Sequence, residues 1–227
     1  MSDDCYDAFR LTWDSGAARR RSDQPRALRL LEKAIRVNPK YALAYFQMGV
    51  LQVDLHDLDA AKKALRTSIE LDPTFGDAWA KLIALSRSRE EADQVLAEGL
   101  RRCPDSPSIH AFNGKRLKAL GQIDQALDEF KRVAALRPSE ILGLIDCAQI
   151  YFERGQDVLA VQTLQRALEI VPEDPLVLST LAIYWIGVKN EPKAHEFILR
   201  CREQVRLHED HLLQITNAYQ AAFGRSP

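Results

Sequence analysis

Lys81 and Lys115 fall on matching faces of neighbouring predicted helices, with Arg87 and Lys118 close to them along the chain. Ammonium and guanidinium groups so placed can receive an acidic side chain or a peptide C-terminal carboxylate through charge-assisted hydrogen bonds. Lysines solvated on a helix face need no ligand, and that plainer reading stands beside the first. His208, Glu209 and His211 have metal-ligand types within one helical turn. A zinc site needs a third or fourth ligand, and no other group stands in a clear pattern, so no metal is expected. Cys5, Cys103, Cys147 and Cys201 are scattered without a C-x-x-C pair and read as reduced thiols. Arg19, Arg20 and Arg21 read as a solvated turn. The chain contains no Gly-rich phosphate loop, nucleophile elbow or zincin motif, so neither catalysis nor a cofactor is expected.

Charge and hydropathy narrow the partners. Lys plus Arg (31) nearly balances Asp plus Glu (32), and a net charge of -1 over 227 residues gives no long-range field to attract nucleic acid or an anionic membrane. The start, Met1 to Asp7, is acidic and has no apolar signal-like stretch, and no run approaches the roughly 18 apolar residues of a membrane span. A cytoplasmic protein is expected, with no nucleic acid and no membrane among its partners. Hydrophobic residues at 46% leave ample surface for a core.

The elements that must position these side chains repeat. Pro39, Pro73, Pro104, Pro138 and Pro172 follow one another at separations of 34, 31, 34 and 34 residues. Ala27, Ala61, Ala92, Ala126 and Ala160 each lie 12 residues before a proline, and Leu31, Leu65, Leu96, Phe130 and Leu164 each lie 8 before. The four-residue step from alanine to the large apolar residue returns to one helix face, so a small contact and a bulky one recur in fixed order. The proline ends the helix, because it lacks a donor and drives its predecessor out of the α region. A second helix precedes each of these, and Gly49, Gly114, Ala148 and Ala182 lie 12 residues before Ala61, Ala126, Ala160 and Ala194. Two small residues at that spacing let antiparallel helices cross closely. Gly121 and Gly155 sit in the turns between them, where φ > 0 is needed.

This arrangement resembles the tetratricopeptide repeat, a 34-residue helix-turn-helix. Repeat two carries Tyr45, Met48, Gly49, Ala61, Leu65 and Pro73, and repeat five carries Leu144, Ala148, Tyr151, Ala160, Leu164, Ala167 and Pro172. The resemblance implies an all-α, right-handed superhelical solenoid of antiparallel helix pairs. It is predicted as one domain over 1–227, with about six units at 8–41, 42–75, 76–106, 107–140, 141–174 and 175–206 and a C-terminal capping helix at 207–223. Three departures stand out. Asp14 and Ser15 replace the leucine-glycine pair of repeat one, Arg206 replaces the last proline, and repeat three lacks three residues near Ser86 to Arg89.

In such a solenoid the first helix of each unit lines the concave surface, and side chains not spent on packing are left to bind. The resemblance therefore implies a peptide-binding groove with Phe46, Gln47 and Asp54 from repeat two and Lys81 and Arg87 from repeat three. Phe112, Lys115 and Lys118 follow from repeat four, and Asp146 and Gln149 from repeat five. Lysines and arginine would supply charge, glutamines backbone hydrogen bonds, and Phe46 and Phe112, with Leu142 and Ile145, apolar contact. The carboxylate clamp by which some family members hold chaperone tails is not retained, since Thr12, Gly16, Gln47 and Asp77 occupy four of its five positions and only Lys81 matches. The expected function is a non-enzymatic scaffold or adaptor for an unidentified protein or peptide. The alternative is a self-assembling structural protein that forms a homo-oligomer.

Overall fold

The structure, a computed structural model, describes residues 3–203 and 209–227. Among these, thirteen α-helices and no strand are present. They are α1 (Asp3–Arg20), α2 (Gln24–Val37), α3 (Ala42–Asp54), α4 (Leu58–Leu71), α5 (Gly76–Ala84), α6 (Arg89–Arg102), α7 (Pro107–Ala119), α8 (Ile123–Leu136), α9 (Leu142–Glu153), α10 (Asp157–Ile170), α11 (Pro175–Gly187), α12 (Glu191–Arg202) and α13 (Glu209–Phe223). The chain is an all-α helical repeat. It divides into two compact units, one ending at Arg116 and the other beginning at Leu117, within α7.

Each prolyl stop works as its chemistry requires. The residues before the five periodic prolines, Asn38, Asp72, Cys103, Arg137 and Val171, all leave the helix with φ between -126° and -137° and still donate their N–H to the carbonyl four residues back. Helix starts are fixed by side-chain caps. Asp23, Asp57 and Asn190 accept from the backbone N–H three residues on, and Asp174 accepts from both Leu176 and Val177.

In the first unit the small residues let helices touch. A Cβ on Gly49 would lie 2.8 Å from Leu65 Cγ, so α3 and α4 cross at a distance only glycine allows. Ala27, Leu31, Ala61 and Leu65 are buried as their spacing predicts. The shortening of repeat three comes out of helix rather than loop, since α5 has 9 residues where α3 has 13. A serine cap and a glutamate that reaches back to the preceding turn then start α6. Ser88 Oγ accepts from Glu91 N–H at 3.1 Å, and the Glu91 carboxylate accepts from Arg87 N–H at 2.7 Å and from Lys62 Nζ at 2.9 Å.

These contacts, with the Arg87 N–H first, hold the Glu91 carboxyl below its ordinary value of 4.5. A carboxyl depressed on folding adds stability above its unfolded pKa and loses it as pH falls through the folded one. Glu91→Gln should therefore lower the denaturation midpoint at pH 7, and its deficit against the wild type should shrink as pH falls below 4. A deficit that is constant from pH 7 to pH 3 would remove the ion pair as its cause. Ser88→Ala should cost about 1 kcal/mol at every pH, the usual worth of such a cap.

In the second unit the largest core holds Leu164, Val177, Leu178, Leu181, Ala182, Ala194, Ile198 and Cys201, and α13 closes over it with Ile215 and Tyr219. Leu213, Gln214, Asn217 and Gln220 of α13 point to solvent. That division gives the end of the array one apolar and one mostly polar side. No helix among the described residues is long and apolar enough to cross a membrane.

Candidate functional site

The first unit gathers Phe46, Gln47, Val50, Val53 and Asp54 of α3, Lys81 of α5 and Arg19 of α1 around a cavity of about 240 Å³. Four of the sequence-predicted residues, Phe46, Gln47, Asp54 and Lys81, meet there. Phe46 is half-buried because its ring packs on Phe75, centroids 4.9 Å apart. Asp54 is paired, its Oδ2 3.0 Å from Arg19 Nη1, so within the cavity two opposite charges offset each other. Lys81 is exposed and makes no ion pair among the described residues. Arg87 does not line this cavity: its guanidinium lies 2.6 Å from Asp59 at the start of α4. Phe112 packs against the core of Trp79, Ile83, Leu96 and Ile109, whereas Lys115 is exposed without an ion pair among the described residues.

The second unit builds a larger groove of about 540 Å³ between α9 and α11. Ile145, Gln149 and Phe152 line it from α9, Leu176, Thr180, Ile183, Tyr184 and Gly187 from α11, and Asp157 from the start of α10. The steps of three and four residues on both helices set two apolar stripes against each other. Phe152 and Tyr184 stack at 4.5 Å and form the floor between the stripes. Burial, followed by the neighbouring Asp157 carboxylate, pushes the Tyr184 hydroxyl up. Ile183 is 50% exposed and Leu176 47%, which leaves much apolar surface in water. Gln149 is exposed at the rim. Asp146 is half-buried on α9 outside the lining, and Lys118 is tied to Glu153 at 2.7 Å.

Phe152, Leu176, Ile183 and Tyr184 were not singled out from the sequence as binding residues, yet a signal exists for two of them. Leu176 and Ile183 stand one 34-residue period after Leu142 and Gln149, so extending the groove register by one repeat reaches both. The same step taken backwards from Leu43 and Gln47 reaches Phe9 and Trp13, two exposed aromatics of α1 whose rings stack at 6.5 Å.

Nothing in these two clefts brings together a nucleophile with its base, and no cluster of three metal-ligating side chains occurs among the described residues. The His208, Glu209 and His211 candidate lies outside the residues whose side chains are described. Successive helix pairs of this kind define a helical-repeat protein. The sequence matches the tetratricopeptide repeat over residues 6–225, and the chain belongs to that family.

Among curated proteins it is similar to anaphase-promoting complex subunit CDC16 of Saccharomyces cerevisiae, 28% identical over 149 residues, which cover 64% of this chain and 18% of that protein. The chain thus spans less than a fifth of that relative's length. Among solved structures, yeast Tom70 superposes with a TM-score of 0.75 at 19% identity, covering 86% of this chain and 42% of Tom70. PilF of Pseudomonas aeruginosa does so with 0.67 at 14% identity, covering 95% of this chain and 99% of its own. At these identities the likeness is one of fold. Tetratricopeptide repeats generally mediate protein–protein interaction and are typically non-catalytic.

Proposed function

We propose that this chain is a non-enzymatic, cytoplasmic adaptor that holds a peptide or helical segment of another protein in the groove between α9 and α11. The observation that carries the reading is the facing pair of apolar stripes, with Leu176 and Ile183 about half exposed opposite Ile145 and Phe152. Water is a poor solvent for such a surface, and an apolar face laid between the stripes removes it. Gln149 offers hydrogen bonds to the backbone of an extended ligand, and Thr180 Oγ1, which donates to the Leu176 carbonyl at 2.7 Å, can accept one. In the first unit, Phe46, Gln47 and Lys81 line a second, more polar contact zone, and Lys81 and Lys115 make no ion pair among the described residues, while Arg87 and Asp54 hold neighbouring charges of their own, as Lys118 does in the second unit. CDC16 is by name a subunit of a complex, which fits an assembly role.

A displayed library of random peptides selected on the wild-type chain tests this. The enriched sequences are expected to carry spaced apolar residues and to bind an Ile183→Glu variant at least about tenfold more weakly, since a carboxylate would be forced into the apolar stripe. Equal binding by both would reject the groove. Self-association is the second reading, favoured by Tyr6, Phe9 and Trp13 on α1, of which Trp13 is 66% exposed. Light scattering of the same wild-type sample without peptide decides it, because a mass that stays monomeric as concentration rises excludes self-association.

A further inference from the structure

The same helix α9 has a second working side. Leu144, Cys147 and Tyr151 point away from the groove and, with Lys131, Ala134 and Ala135 of α8 and Leu159, Gln162, Thr163 and Arg166 of α10, enclose a cavity of about 450 Å³. No lining residue is shared with the α9–α11 groove. Lys131 and Arg166 come from different helices, both are exposed, and neither makes an ion pair among the described residues. Arg19, Arg87, Arg116, Arg154 and Arg200 are each matched to a carboxylate on another helix or turn, whereas the two cations of this cavity, like Lys81 and Lys115, are not spent on a carboxylate among the described residues. The floor beneath them is apolar. Leu144 and Cys147 are buried, and Leu159 is 46% exposed at the mouth. Burial pushes the Cys147 thiol up to about 11, the Lys131 ammonium acting against it and the Asp146 carboxylate adding to it.

We propose that this cavity is a second docking site, for an acidic segment of a partner protein in which an apolar side chain is flanked by Asp or Glu. The apolar side chain fills the space over Leu144, Cys147 and Leu159. Its flanking carboxylates meet Lys131 and Arg166, whose guanidinium can hold one of them in bidentate fashion. Tyr151 and Gln162 remain to bond the ligand's backbone, while Thr163 Oγ1, which donates to the Leu159 carbonyl at 2.7 Å, can only accept from it. Two cations without an apolar floor would hold any anion weakly, and the floor without the cations would not select for charge.

The test is isothermal titration of the full chain with the peptide Ac-Glu-Asp-Leu-Phe-Glu-Glu-NH2. Two analogues accompany it, one with Gln and Asn in place of the acids and one with Ser-Ser in place of Leu-Phe. The expected result is saturable binding of the first peptide and at least about tenfold weaker binding of each analogue. The exposed double variant Lys131→Glu/Arg166→Glu should weaken the first peptide by a similar factor, with an unchanged helical spectrum, whereas Ile183→Glu should leave it unaltered. Equal affinity for the neutral analogue, indifference to the charge reversal, loss in Ile183→Glu, or no saturable heat would each overturn the proposal. Because the Ile183→Glu arm reports only on the groove, failure of this site and failure of the proposed adaptor groove give different results.

Discussion

Phe130→Ala is expected to lower the stability of the chain by about 3–5 kcal/mol, the cost of deleting a buried aromatic ring and leaving its cavity. Phe130 is 1% exposed. It lies in α8 among Leu117, Ala126, Leu127, Cys147 and Ile150, so its ring joins α7, α8 and α9 within one cluster. The loss has two parts. The transfer of the ring from water is forfeited, and the surrounding helices cannot close the gap without disturbing the close backbone approach of α9 to α8 at Gly143. Chemical denaturation followed by circular dichroism measures it. Leu199→Ala, a truncation on the exposed side of α12, is the control and should stay within about 0.5 kcal/mol. A Phe130→Ala loss no larger than that control would mean the ring is not a keystone of this core.

The place of Phe130 was legible because the proline period counts back to it, and the same count finds residues that are buried wherever the repeat is regular. Ala61, Leu65, Ala126, Ala160 and Leu164 are at most 1% exposed. The count weakens where the period does. In repeat three Ala92 is only half-buried, because α5 lacks the last turn that would cover it. The turns were legible in part: Gly121 and Gly155 have φ of 74° and 67°, but His56 and Lys189 take φ of 62° and 56° at the matching turns without glycine to announce it.

The charged groove was the least legible. Arg19–Asp54, Arg87–Asp59 and Lys118–Glu153 join side chains about 28 to 35 residues apart, and whether a cation on a groove face is spent on such a pair depends on the neighbouring repeat's rotamers. Nor does α11 announce its faces, since it is apolar almost all round: Leu178 and Leu181 are buried while Leu176 and Ile183 face the groove. Hydrophobic periodicity cannot divide such a helix, and only the 34-residue register can.

Gly143→Ala should cost about 1–3 kcal/mol or more, although it adds a single methyl group and raises helix propensity. The added Cβ would lie 2.7 Å from the backbone nitrogen of Ala134 and 3.1 Å from the Phe130 carbonyl oxygen. Neither atom belongs to a side chain that can rotate away, so α9 must lift from α8 and loosen the packing over Phe130. Gly187→Ala is the matched control, since a Cβ there meets nothing within 4 Å at the end of α11, and it should be neutral or stabilising by up to about 1 kcal/mol. The cause can be separated from ordinary crowding. If the clash were with a side chain, Ala134→Gly in the Gly143→Ala background would relieve it; against a backbone nitrogen the same change leaves the contact in place and adds the cost of a helical glycine. The double variant is therefore expected to be less stable than Gly143→Ala alone, and recovery toward the wild-type midpoint would show that α8 and α9 meet through the Ala134 methyl instead.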